Sequence, residues 1–372
     1  MSASPAIASP TATDTPPTLN CGSGGGSETY TNLRIASIFI VLCASMSGAL
    51  FPVLAKRSSW LKVPTGVFNF AKYFGSGVII ATAFIHLLSP ALDELGSPCL
   101  SEAWQSYPYA LAICLASIFA IFIVELFAFR VGSAHLAKLG LHHDPHGHGI
   151  ESGGGSHAAH GPEGFHNHGS PQPIAKSVGD LEAGDETSRT RIELPDTDDL
   201  SKSKQHQHYP AIAQILGIAI LEFGIVLHSV LIGLTLAVDE SFKILFVVIV
   251  FHQLFEGLGL GSRLAFINLP APYSKVPIYA AILYGLTTPI GIAIGLGVRA
   301  SYNPGSTEAS IVSGVMDAVS SGILIYTGLV ELLAHEFLFN GEMINASNGK
   351  LLYALGCMCA GCGLMALLGK WA

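Results

Sequence analysis

Charged residues are scarce in this sequence. Asp, Glu, Lys and Arg make up 12% of its 372 residues, whereas ordinary globular proteins contain roughly 25%. The mean hydropathy is +0.51. So little charge argues against a water-soluble globular protein of this length, and we expect most of the chain to lie in a membrane.

A basic N-terminal region is also missing. No Lys or Arg precedes Arg34, so residues 1–32 lack the positively charged start of a secretory signal peptide. These residues are rich in Pro, Ser, Thr and Gly, a composition that predicts a disordered extracellular tail. The first apolar stretch after the tail is then expected to act as the insertion signal.

Long apolar stretches occupy most of the remaining chain. A helix needs about 20 apolar residues to cross roughly 30 Å of hydrocarbon. Eight segments are long enough: residues 33–55, 67–90, 107–130, 211–238, 244–267, 276–299, 309–335 and 350–371. The fifth carries its own polar face and is the least certain on hydropathy alone. The sequence therefore predicts an all-α integral membrane protein with eight transmembrane helices.

Basic residues are unevenly distributed among the loops. They concentrate after the first, third and fifth spans, at Lys56, Arg57, Lys62, Arg130, Lys138, Arg263 and Lys275. Cytoplasmic loops are enriched in Lys and Arg, so these loops are predicted to be cytoplasmic and both termini extracellular. Arg299 lies on the opposite side and departs from the pattern. The resulting domains are the tail, helices 1–3 in residues 33–131, a loop in 132–210 and helices 4–8 in 211–372.

The loop in residues 132–210 holds eleven of the fifteen histidines. Its predicted metal-binding positions are His142, His143, His146, His148, His157, His160, His166 and His168. Histidine mixed with Gly, Ser and Pro cannot form a core, so we expect a disordered cytosolic loop whose imidazoles bind zinc and regulate the protein. A merely solubilising linker is the alternative interpretation. The trafficking or ubiquitination machinery is a candidate partner of this loop.

Cysteine is rare on the predicted outer side, where only Cys21 and Cys99 lie. These two residues could form a disulfide. Two free thiols are an equally good interpretation, because sequence alone does not give connectivity. Cys359 and Cys362 have the spacing of a redox motif but lie in an apolar helix, where packing by small residues is the better interpretation.

Polar residues in the fourth and fifth spans are the strongest functional signal. His228 and Ser229 lie in the fourth span, and His252, Gln253 and Glu256 lie in the fifth. An ionisable side chain at bilayer depth costs several kcal/mol, roughly 2.5 or more, so such residues usually serve a binding site or a polar pathway. Residues four apart on a helix are separated by about 40°, so His252 and Glu256 share a face.

The depths of these side chains also match. About five residues join the fourth and fifth spans, which makes the two helices adjacent and antiparallel. At a rise of 1.5 Å per residue, His228 lies about 15 Å before the end of its span, and His252 and Glu256 lie about 12 and 18 Å after the start of theirs. Imidazole and carboxylate suit Zn²⁺, Fe²⁺ or Mn²⁺. We therefore predict an intramembrane divalent-cation site, although each histidine taken singly is more often a packing residue.

Other ionisable residues of the spans are weaker candidates. His86 and Asp93 could form an entrance, and Glu331, His335 and Glu336 could form an exit. Interfacial residues that reach water by extending along the helix are the alternative interpretation of both groups. Three further acidic residues in the spans are not assigned as ligands: Glu125, Glu222 and Asp317.

The segments HSVLIG at 228–233 and HQLFEG at 252–257, the eight spans and the His-rich loop resemble the ZIP family of divalent-metal transporters, particularly its fungal and plant ZRT/IRT-like branch. The resemblance covers residues 33–372. It implies uptake of metal into the cytosol through a binuclear-type site between helices four and five. It also implies a homodimer, and helices 1–3 and 6–8 arranged as inverted repeats.

By motif position, the resemblance implies that His228, His252 and Glu256 hold the primary metal. Ser229 and Gln253, with Glu256 bridging, would then form a weaker neighbouring site. Ile232 stands where some family members have a carboxylate, and Gln253 stands where others have Asp. These departures favour one main ion and a polar stepping site.

The predicted function is uptake of Zn²⁺ across the plasma membrane, with Fe²⁺ or Mn²⁺ as the alternative ion and a vacuolar or other organelle membrane as the alternative location. No cofactor beyond the transported ion, and no nucleic-acid partner, is expected. An intramembrane metalloprotease is a rival, but the segment from His335 and Glu336 to Phe339 lacks the second histidine of the HExxH motif. A metal sensor that uses the His-rich loop is the third candidate.

Overall fold

The computed structural model describes residues 20–22, 24, 26–27, 29–58, 63–138, 208–267, 269 and 271–371. The predicted loop histidines between His142 and His168, most of the N-terminal tail and the basic residue Lys62 lie outside these ranges. Within the described residues every regular element is helical, as the sequence predicts.

Eight helices in the described ranges are long and apolar enough to cross a membrane. They are α1 (Thr31–Arg57), α2 (Thr65–Leu95), α3 (Tyr109–Lys138), α4 (His208–Val238), α5 (Phe242–Phe266), α6 (Val276–Val298), α7 (Thr307–Phe339) and α8 (Asn348–Leu368). The predicted number of spans is confirmed, including the uncertain fifth. The last residues of α3 and the first residues of α4 lie in the segment 132–210 that the sequence predicts as loop. Each helix therefore continues beyond its apolar stretch.

Two helices contain segments of π-helix, the wider helix type that often occurs at functional sites. In α2 this segment is Thr82–Leu88, and in α7 it is Thr327–Phe339. The segment in α2 carries His86, and the segment in α7 carries the predicted exit residues.

The eight helices pack as two groups of four. In the first bundle α1 packs along α5 and α6, and α4 packs along α6. In the second bundle α2 packs along α8, and α7 packs along α3 and the outer half of α2. The bundles meet where α2 contacts α5 and where α4 contacts α7. Polar side chains on α4 and α5 therefore lie at or near the boundary between bundles.

Small residues allow the two bundles to approach closely. A Cβ atom on Gly75 of α2 would overlap the backbone of Gly259 in α5. Within the first bundle, a Cβ atom on Gly48 of α1 would lie 2.5 Å from the carbonyl oxygen of Leu254. Close helix contacts of this kind depend on small side chains.

The described residues before α1 cross the ends of several helices. Cys21 and Cys99 form a disulfide, which decides between the two interpretations left open by the sequence. The side-chain amide of Asn303 donates to the carbonyl oxygens of Asn20 and Gly22, each over 2.7 Å. The segment thereby connects the loop after α2 with the loop after α6.

Arg34 anchors the same end of the first bundle. Its side chain is fully buried and donates to the carbonyl oxygens of Leu236 over 3.0 Å and Asp239 over 2.6 Å. The guanidinium also stacks on the ring of Phe242 at 4.4 Å. These bonds satisfy carbonyl groups at the end of α4, where helical partners run out.

Candidate metal-transport site

Polar side chains from α4 and α5 lie together in the interior of the molecule. His228, Ser229, His252, Gln253 and Glu256 are each no more than 3% exposed. His252 Nε2 lies 3.6 Å from Glu256 Oε2 on the same helix. The ring centres of His228 and His252 are 5.7 Å apart, so the two helices present these residues at a common depth.

Most ligand atoms of this group have no hydrogen-bond partner in the described part of the chain. The unpaired buried atoms include His228 Nε2, His252 Nε2, Ser229 Oγ, Gln253 Nε2 and Glu256 Oε1. An unpaired buried polar atom costs about 1–3 kcal/mol, so such atoms are normally rare. A cation would satisfy the unpaired imidazole nitrogens and oxygens among these atoms, whereas the Gln253 amide nitrogen is a donor and would not bind it.

Tyr284 of α6 supports the inner side of this group. Its hydroxyl donates to the carbonyl oxygen of Gln253 over 2.8 Å and lies 3.4 Å from Glu256 Oε2. Among the described residues, no three His, Cys, Asp or Glu side chains are close enough to form a metal cage as they stand. The predicted ligands therefore lie near one another without surrounding a single point.

A cavity of about 300 Å³ leads to these ligands. It extends from Asp93 and Glu94, at the C-terminal end of α2, to His228 and His252. Asp317 of α7 also lines it, and no Lys or Arg is among the described residues that do so. Acidic walls without a basic residue favour the approach of a cation over an anion.

The two predicted entrance residues both line this cavity but lie at different depths. Asp93 lies near the outer end. The ring of His86 lies 4.8 Å from the ring of His252, and its Nε2 is 2.9 Å from the carbonyl oxygen of Met365 in α8. The structure thus brings His86 to the inner end of the cavity, beside the predicted ligands.

The predicted exit residues form ion-pair contacts, the two glutamates with Lys72 and Arg263 and His335 with Glu331. Lys72 Nζ lies 2.5 Å from Glu336 Oε1. Glu331 Oε2 lies 3.9 Å from Arg263 and 3.6 Å from His335 Nδ1. These side chains are partly exposed, and none of them lines the cavity.

Asp317 is not among the ligands that the sequence predicts. Its side chain is buried, and Oδ1 lies 3.3 Å from His228 Nδ1. The available signal was a single carboxylate in an apolar span, which also fits an interfacial residue. Its proximity to His228, 89 positions away, depends on the packing of α7 against α4 and cannot be read from spacing.

Comparison with known proteins identifies the family. Residues 31–369 match the family model described as ZIP zinc transporter. Zinc-regulated transporter 2 of Saccharomyces cerevisiae is 38% identical, with 95% of this chain and 97% of that protein covered. Zinc-regulated transporter 1 of Schizosaccharomyces pombe is 41% identical, with 96% and 90% covered. Fe(2+) transport protein 2 of Oryza sativa subsp. japonica is 31% identical, with 96% and 92% covered. The chain belongs to the ZIP family and is a multi-pass membrane transporter of metal ions, not an enzyme.

Proposed function

We propose that this protein carries Zn²⁺ into the cytosol across the plasma membrane and that His228, His252 and Glu256 bind the ion on its way. One observation carries the proposal: in the described part of the chain, His228 and His252 line an acidic cavity and have buried, unpaired ring nitrogens, and Glu256, with an unpaired carboxylate oxygen, lies 3.6 Å from His252. The similarity to two proteins named zinc-regulated transporters supports zinc as the ion. The similarity to an Fe(2+) transport protein makes Fe²⁺ the competitor to test.

In this proposal the ligands replace part of the hydration shell of the ion. Imidazole nitrogen and carboxylate oxygen are common zinc ligands, and Glu256 supplies the negative charge. Ser229 and Gln253 offer a polar stepping site beside the main one. Binding requires neutral imidazoles and an ionised carboxylate, so acidification competes with the metal.

Movement of the ion requires that the site open in turn to each side. The close contact between Gly75 and Gly259 and the ion pair between Arg263 and Glu331 both join the two bundles on the inner side of the site. We propose that α4 and α5 shift against the rest of the molecule, which separates such contacts and frees Glu331 and neighbouring carboxylates for the exit route. Assembly as a homodimer stays a prediction from the family resemblance.

Transport by the purified protein tests this proposal directly. The full chain is reconstituted into liposomes that contain a zinc-sensitive dye, and initial rates are measured over a range of Zn²⁺ with Fe²⁺ or Mn²⁺ as competitor. We expect saturable zinc entry and a lower kcat/KM for Fe²⁺. Absence of ion movement would favour the sensor or protease, and a higher kcat/KM for Fe²⁺ would make iron the substrate. Protein-free liposomes and Glu308→Ala, at an exposed residue, are the controls.

A further inference from the structure

The hydrogen bond between His228 and Asp317 bears on metal binding, and the inference drawn from it rests on the proposed function. We propose that Asp317 is a positioning residue: its carboxylate holds the His228 imidazole in the tautomer whose Nε2 lone pair faces the cavity. Both side chains are buried, at 3% and 5% exposure, and both line the cavity. His228 Nδ1 lies 3.3 Å from Asp317 Oδ1.

The donor and acceptor chemistry determines the tautomer. The carboxylate oxygen of Asp317 is an acceptor, so the proposal places the proton of His228 on Nδ1, the ring nitrogen 3.3 Å from Asp317 Oδ1. The other nitrogen, Nε2, is then unprotonated, and it is the buried atom without a partner in the described part of the chain. Without Asp317 the ring could place its proton on Nε2 and present a donor, which does not bind a metal, to the cavity.

In the described part of the chain, the other two imidazoles at the site have no comparable carboxylate partner. His86 Nε2 is 2.9 Å from the carbonyl oxygen of Met365, which is an uncharged acceptor. His252 has Glu256 at 3.6 Å, and that carboxylate is itself a proposed ligand. A carboxylate bonded to a ligand histidine fixes its orientation and raises its basicity. His228 is therefore the imidazole best prepared to hold a cation.

The contact also crosses the boundary between the bundles. His228 belongs to α4 of the first bundle, and Asp317 belongs to α7 of the second. A shift of α4 against the second bundle separates the two residues. Asp317 therefore supports His228 only in the arrangement in which the acidic cavity reaches the site. When α4 shifts, this hydrogen bond is lost, which weakens metal binding and favours release.

Equilibrium zinc binding by the purified full-length protein tests this role. Loss of the residue that hydrogen-bonds to a metal-binding histidine typically weakens metal binding about 10–100-fold. We therefore expect Asp317→Ala to raise the Kd for zinc by that factor. Asp317→Asn keeps an acceptor oxygen and is expected to have a smaller effect. Glu308→Ala, at an exposed position of the same helix that does not line the cavity, is the control and should bind as the unmodified protein does.

Binding elsewhere in the chain, including any by the loop histidines, is subtracted by measuring a variant in which His228, His252 and Glu256 are all replaced by Ala. A double-mutant comparison then separates positioning from direct ligation. If Asp317 acts through His228, Asp317→Ala added to His228→Ala weakens binding no further. A further loss of tenfold or more would make Asp317 an independent ligand and overturn the inference.

Two further outcomes are informative. If Asp317→Ala binds zinc with unchanged Kd while His228→Ala is defective, the positioning role is wrong and the proposed site stands. If His228→Ala also binds normally, the site assignment itself fails.

Asp317→Asn replaces Asp317→Ala if the alanine variant does not fold, as judged by its elution from a sizing column. The KM of Asp317→Asn for zinc uptake must then rise without a matching loss of surface protein. An unchanged KM overturns the inference.

Discussion

Two pairs of histidine and glutamate, each one helical turn apart, occur in this molecule in different surroundings. In α5, His252 Nε2 lies 3.6 Å from Glu256 Oε2. In α7, His335 Nδ1 lies 3.6 Å from Glu331 Oε2. The side chains of the first pair are at most 1% exposed, whereas those of the second are 41% and 31% exposed. Sequence spacing and distance are the same, so neither distinguishes the pairs.

The neighbours of the two pairs account for the difference in their expected roles. Glu331 lies within 3.9 Å of Arg263, so its charge is already balanced and partly hydrated. Glu256 is buried beside Tyr284, with Oε1 unpaired. A desolvated carboxylate gains far more from a cation than a hydrated one does. Burial without a basic neighbour, rather than His/Glu spacing, therefore marks the proposed metal site.

The largest effect should come from the buried pair and its partner on α4. His228→Ala or Glu256→Ala removes a ligand that water cannot replace at this depth, so saturable zinc uptake should be abolished. Radioactive zinc uptake and surface abundance are measured together in cells without another high-affinity uptake system. Surface abundance should stay near normal, and Glu308→Ala should transport normally. Normal uptake by either variant would end the assignment.

The partly exposed pair should matter much less. An ion pair in contact with water contributes about 1 kcal/mol or less, which corresponds to about fivefold at most. Glu331→Gln or His335→Ala should therefore lower the maximal uptake rate by no more than about fivefold, with little change in KM. The same uptake assay measures both values. Complete loss of uptake in either variant would show that the two pairs are functionally equivalent.

The histidines between residues 142 and 168 form a third group, outside the described residues. Their deletion should leave initial zinc uptake near normal, because the cavity and its ligands lie in other parts of the sequence. The deletion should instead change metal-induced loss of the protein from the surface. Initial uptake and surface abundance are compared over time after zinc addition. Collapse of initial uptake at unchanged abundance would place the loop in the transport route.

The smallest effect is expected at an exposed ion pair at the start of α8. Lys350 Nζ lies 2.6 Å from Glu342 Oε1, and this hydrogen bond lowers the pKa of Glu342 below its usual value. The stability it adds is complete above the pKa of the unfolded carboxyl, about 4.3, and is lost as the pH falls through the lower folded value. Glu342→Gln should cost less than about 1 kcal/mol at pH 7.

Thermal unfolding in detergent at pH 7 and at pH 3 checks this prediction. The small difference between Glu342→Gln and the unmodified protein should be seen at pH 7 and should shrink as the pH falls towards 3, because protonation of Glu342 removes its charge. An equal difference at both pH values would show that the glutamate acts through packing.

Helix geometry and loop length alone predict that His228, His252 and Glu256 lie at a common depth. The rise and turn of a helix are constant, and a short connection makes neighbouring helices antiparallel. The relation of His86 to His252 was not predictable in this way. It depends on how α2 packs against α5, where Gly75 and Gly259 allow close approach.

The sequence by itself determined the class of the protein and its eight helices, because hydrocarbon thickness and backbone hydrogen bonding leave few alternatives for apolar segments of this length. The tertiary structure alone decided that Asp317 contacts His228, that Lys72 pairs with Glu336 and that Cys21 bonds to Cys99. The partners of each pair are 78 or more positions apart. Contacts over such distances depend on which helix faces pack together, and helical periodicity within a single span does not specify that.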